Sequence, residues 1–183
     1  MAIKAPLRVT AATLLSLERD LIGFAHTGDG ECYFILSGDR AVRVTIVETD
    51  VAPKFECFSL ALEMLGMPTG PMSPFLLPSV KNVSVLLREE YVEPSDDDHP
   101  GLVGAKPRFN QTGAKPGHVP KTAIESCLVA YGLLIEGGSD LLIAADWFPY
   151  NIEVTTDSER ITALVDDSDR MSISRYIQQH ELE

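Results

Sequence analysis

Asp96, Asp97, Asp98 and His99 make the densest run of titratable side chains in the chain. A carboxylate next to an imidazole supplies a proton acceptor and a proton donor, so Asp98 with His99 or His118 is the pairing a hydrolase would use. The same aspartates offer oxygen to a hard cation. Calcium loops, however, space their acids at alternate positions and add a bidentate Glu from further on, whereas adjacent aspartates splay apart. A solvated acidic loop is the simpler reading.

Nitrogen and sulfur donors are scattered. The four histidines are His26, His99, His118 and His180, and no two lie at metal-ligand spacing. The three cysteines, Cys32, Cys57 and Cys127, form no close pair. Zinc needs three or four such donors. His26, Cys32 and Cys57 would have to converge in the fold, and neither a metal nor a cofactor is expected. Each cysteine sits in or beside an apolar run and is expected to be a buried, reduced thiol.

A third group suggests binding rather than catalysis. Asp146, Trp147, Phe148 and Tyr150 cluster around Pro149 in the segment DWFPYN, which holds the only tryptophan of the chain. Aromatics with polar tips anchor protein interfaces because they bury large area while losing little rotamer entropy. These four residues are the expected partner-binding surface. The competing reading turns Trp147 and Phe148 inward to plug the end of a sheet.

No catalytic signature accompanies these groups. GxSxG, HExxH, GxxxxGK[ST] and GxGxxG are all absent. Gly28-Asp29-Gly30 reads as a hairpin turn, since no helix start follows it to present free amides to a phosphate.

Charge narrows the partner. The net charge is −12, and residues 136–183 carry eleven acids against three bases. That balance argues against a nucleic-acid backbone, which needs Lys and Arg to displace counterions, and suits a basic protein partner. The longest uncharged apolar run, Leu128 to Ile135, is far shorter than the roughly 20 residues of a membrane span. The N-terminus lacks an export-type apolar segment, so a soluble, cytoplasmic protein is expected.

The chain of 183 residues is expected to be a single α+β domain, mainly an antiparallel sheet of about seven or eight strands with a short helix near each terminus. Leu7 to Asp20 has loosely helical spacing, with Thr10 as its cap. Strands are expected at Leu21–His26, Glu31–Leu36 and Ala41–Val47, separated by glycine turns. Lys54–Met64 is apolar on both faces and is read as a further strand. Four prolines between residues 66 and 78 predict a connector without regular structure. Ser79–Val92 resumes as strand.

Residues 94–120 read as a long Gly/Pro-rich mobile loop, basic from Ala105 to Lys121. Residues 123–136 fit a helix with a capping box at Thr122, but Gly132 and the glycine turn before Leu141 favour a strand hairpin. Ile152–Thr155 is expected as strand, followed by a helix over Ser158–Val165 and a last helix over Met171–Gln179. Leu21–Ile46 and Leu128–Val154 repeat one order of strands and turns, as two meanders of one sheet or a duplication.

These features favour a non-catalytic protein-binding module, inhibitor- or immunity-like, with an acidic, aromatic-tipped surface. One alternative is an enzyme without a familiar motif working from the 94–120 loop. The other is a small-ligand or homo-oligomeric scaffold, motivated by the double-faced apolar segments.

Overall fold

A computed structural model describes residues 3–27, 31–52, 55–77, 79–92, 125–145 and 151–182. Among these, eleven strands and three helices alternate as β1 (Ile3–Ala5), α1 (Ala11–Asp20), β2 (Leu21–Thr27), β3 (Cys32–Leu36), β4 (Arg40–Ala52), β5 (Phe55–Gly66), β6 (Met72–Leu76), β7 (Asn82–Val92), β8 (Glu125–Glu136), β9 (Leu141–Ala145), β10 (Ile152–Thr155), α2 (Ser158–Asp166), β11 (Asp169–Ser172) and α3 (Ile173–His180). The chain is α+β and mainly antiparallel, but with two sheets rather than one. The first runs β10-β9-β8-β7-β11, with β1 parallel to β8; the second runs β5-β4-β3-β2-β6. The two expected meanders therefore fall in different sheets.

The N-terminal segment joins the sheets. Ile3 to Ala5 pairs with Cys127 to Val129. A few residues on, Arg8 N donates to Leu60 O at 3.1 Å and Leu62 N donates to Arg8 O at 2.8 Å. One extended stretch thus borders β8 and then β5, making a seam. The strand over residues 3–5 is too short to show any alternation, so the sequence gives it no signal.

The sheets share one apolar core. Phe24, Phe34, Val42, Val44, Leu60 and Leu62 of the second sheet meet Val83, Val85, Leu133, Ile135 and Ile143 of the first. Leu14 and Leu17 of α1 and Ile173 and Tyr176 of α3 fill the same core. The opposite face of the first sheet is buried too, where Leu86, Tyr131, Leu134 and Leu142 pack against Ile161 and Leu164 of α2.

That double covering explains why β8 is apolar on both faces. A bulge adds a second reason. Leu86 pairs with Gly132 and Leu87 with Ala130, so Tyr131 is the extra residue and the alternation slips there. Val129 and Tyr131 look toward α2, whereas Leu133 and Ile135 face the inter-sheet core. Gly132 fits the close approach to β9, because a Cβ there would lie 2.9 Å from Ile143 O. Of the two double-faced apolar segments, residues 57–60 of β5 and nearly all of 127–135 in β8 are buried within the chain.

Local rules set several boundaries. Thr10 caps α1 by accepting from Thr13 N at 3.2 Å, and Asp157 caps α2 by accepting from Arg160 N at 2.7 Å. Gly38 and Asp39, at φ 79° and 55°, turn β3 into β4 through the left-handed region.

The described residues form eleven strands where the sequence predicts seven or eight, the additions being β1, β6 and β11. The proline-rich connector contains strand β6, with Pro74 opposite Ala25. The last helix starts later than expected, because residues 169–172 first pair with β7. Ser172 then caps α3, accepting from Arg175 N at 3.4 Å. Among the described residues no helix is long and apolar enough to cross a membrane.

Candidate functional site

Two places in the fold stand out, a buried polar seam and an exposed apolar corner. The seam grows from the alternation of β7. Val83, Val85 and Leu87 enter the inter-sheet core, so Leu86, Arg88 and Glu90 project toward the α2 side. Arg88 Nε donates to Glu90 Oε1 at 3.0 Å. The two side chains are only 5% and 9% exposed. The guanidinium also lies over the Tyr131 ring, 4.6 Å from its centroid, and Tyr131 Oη donates to Leu164 O at 2.9 Å. Burial pushes the Tyr131 hydroxyl above its ordinary pKa.

Glu90 also reaches the thiols. Cys57 Sγ donates to Glu90 Oε2 at 3.7 Å. Glu90 pairs with Cys127 in the β7–β8 ladder, and Cys57 and Cys127 lie in one buried cluster. Cys127 and burial together drive the Cys57 thiol far above its usual range. The neighbouring Cys57 side chain holds Cys127 below its own. The seam thus gathers a cation, a carboxylate, a phenol and two thiols. The two open grooves of about 470 and 610 Å³ are lined by other residues. The seam is a place for structure and thiol chemistry.

The apolar corner is built by β2 and β6. Ile22 is 45% exposed, Phe75 42% and Leu76 72%. Leu77 N donates to Ile22 O at 3.0 Å, which fixes the end of β6 against β2. By alternation, Phe75 and Ser73 turn their amides inward with Leu77, and the nitrogen of Pro74 faces out. Proline is tolerated there because no ladder bond is lost, which is why β6 forms despite its prolines. It also removes an outward donor, blunting the edge against open-ended strand pairing. The backbone is protected while large apolar side chains stay bare.

Several expected residues fall elsewhere. Asp146, Trp147, Phe148 and Tyr150 lie outside the described residues, as do the 94–120 loop and its Asp98, His99 and His118. Of His26, Cys32 and Cys57, only the first two meet, with Cys32 Sγ 3.4 Å from His26 Nδ1 across β2 and β3. Cys57 belongs to the seam. All three cysteines are free and buried, as their apolar surroundings suggested. Among the described residues no group of three or more His, Cys, Asp or Glu is placed to hold a metal.

The acidic C-terminal quarter is partly structural. Glu136 pairs with Arg170 at 2.5 Å and Glu153 with Arg160 at 2.6 Å. Asp140, Glu159, Asp166, Asp169 and Glu181 are exposed.

Sequence reasoning missed the seam because Arg88-Glu89-Glu90 reads as a solvated charge run. The one available signal was Leu86, which shares a face with Arg88 and Glu90. Compared with known protein families, curated proteins and solved structures, the chain matches none.

Proposed function

We propose that the protein is a non-catalytic binding module that engages a protein partner through Ile22, Phe75 and Leu76. The observation that carries this reading is Leu76, 72% exposed on an edge strand that also carries half-bare Phe75, with Ile22 half-bare on the neighbouring β2. Scattered exposed apolar residues are ordinary, but three at one sheet edge favour a contact surface. Burying a leucine side chain is worth about 1.5–3 kcal/mol relative to leaving it in water. Because Pro74 blunts the edge, recognition runs through side chains entering a pocket rather than through an added strand.

The net charge of −12 favours a partner with basic groups around that pocket. Charge of that kind speeds encounter and makes the on-rate salt-sensitive. Asp146, Trp147, Phe148 and Tyr150 carry the same interface chemistry in the sequence and stand as a second set of anchors. Trp147→Ala tests them. The hydrolase alternative rests on Asp98, His99 and His118, which lie outside the described residues.

Quantitative affinity capture from native extract tests the reading. The wild-type chain should retain a basic protein in near-equimolar amount at low salt, and Leu76→Asp should lose most of it. Retention of nothing above background at either low or high salt contradicts it.

A further inference from the structure

We propose that Cys57 and Cys127 are a reversible dithiol–disulfide pair that staples β5 to β8 across the seam, with hydrogen peroxide as the oxidant. Cys57 comes from the second sheet and Cys127 from the first, and they are 0% and 1% exposed. They belong to one buried cluster with Ala5 of β1, the strand that joins the two sheets. Glu90, opposite Cys127 in the ladder, sets its Oε2 3.7 Å from Cys57 Sγ. Both thiols thus border Glu90 in one buried cluster, and a disulfide would draw their sulfurs to about 2.05 Å. Seventy positions separate the pair in sequence, so only the fold could reveal it.

The surroundings assign the roles. Cys57 directs its one thiol proton at Glu90 Oε2, and Cys127, which the Cys57 side chain holds below the usual thiol range, is the first thiolate. Its thiolate attacks one peroxide oxygen, the O–O bond breaks, and Cys127 sulfenic acid forms as hydroxide leaves. Cys57 then passes its proton to Glu90 and its sulfur attacks Cys127. The S–S bond forms and the S–O bond breaks. The departing hydroxide takes the proton from Glu90 as water. In sum, two thiols lose two electrons and two protons, and one peroxide becomes two waters. Burial makes this slow and restricts it to a small oxidant. Cys32, 3.4 Å from His26 Nδ1 in the other cluster, serves as an internal control.

The test uses the whole chain in native buffer. It is treated with hydrogen peroxide, blocked with N-ethylmaleimide under denaturing conditions, and read by intact mass and peptide mapping. The expected result is a loss of about 2 Da, a linked Cys57–Cys127 peptide, and reversal by dithiothreitol. Cys32→Ser should oxidise in the same way. The proposal is overturned if Cys57 and Cys127 stay fully alkylatable after oxidation. It is equally overturned if they go to sulfinic acid without a disulfide, or if the link involves Cys32.

Discussion

Arg88 and Glu90 stand two residues apart on β7 and form an ion pair almost wholly removed from water, 5% and 9% exposed. The contact is further enclosed by the Tyr131 ring and by the Cys57 thiol. Taking both charges out of water costs several kcal/mol each, which their attraction and hydrogen bonds only about offset. Such a pair is weak support for stability but a strong constraint on geometry, because neither partner can be buried alone. It fixes which face of β7 meets α2 and where the seam closes.

The asymmetry gives a direct prediction. Glu90→Ala leaves the guanidinium buried without its carboxylate and should cost about 3–5 kcal/mol in urea denaturation. The double replacement Arg88→Met with Glu90→Leu should recover most of that loss. If the single and double variants were equally unstable, the pair would be holding the seam by more than its charges.

Tyr176 gives a signed pH dependence. It is fully buried, and its hydroxyl accepts from Leu7 N at 2.8 Å. Burial pushes its pKa from 10.0 up to about 12. The unfolded chain therefore loses this proton first as pH rises. Stability is fully present below about 10 and should fall by about 2 kcal/mol as pH climbs toward about 12. Tyr131, also shifted upward by burial, adds a contribution of the same sign. Tyr176→Phe should flatten much of that slope. It should also cost about 1–3 kcal/mol at neutral pH by stranding the Leu7 amide. Denaturation midpoints across the alkaline range read both effects.

Gly132 tests the bulge. A Cβ at this position meets Ile143 O at 2.9 Å, an atom of the neighbouring strand backbone that cannot swing aside. Gly132→Ala should cost about 1–3 kcal/mol, since the β8–β9 ladder must give way. Gly66→Ala is the control, because nothing lies within 4 Å of its added carbon. A stable Gly132→Ala variant would argue against the close β8–β9 approach.

Much of the fold was legible because local chemistry and the folded state agree. Thr10 announces α1 by its hydroxyl, and Ser37-Gly38-Asp39 announces the β3–β4 hairpin. Gly132 and the glycine turn before Leu141 favour a strand hairpin over the helical spacing of Ile124, Cys127, Leu128 and Tyr131, and β8 and β9 pair as one. What escaped depends on long-range placement. The prolines near β6 read as breakers, because only the sheet shows that Pro74 faces outward.

The division into two sheets is set by β1 and Arg8, where the sequence has no period to offer. The candidate site was the least legible part. The Cys57–Cys127 contact joins residues that no short-range pattern connects, and the bareness of Leu76 follows from the edge position of β6.

The most direct measurement of the central claim is the amount of partner retained from native extract by wild type, Leu76→Asp and Leu15→Asp. Leu15 is an exposed apolar residue on α1, 47% accessible, and controls for general stickiness. All three chains should melt alike, since surface changes of this kind usually alter stability by no more than about 0.5 kcal/mol. Leu76→Asp should lose at least about tenfold of the bound partner, equivalent to about 1.4 kcal/mol, while Leu15→Asp keeps it. Equal retention by wild type and Leu76→Asp would contradict the assignment of the β2–β6 corner as the binding surface.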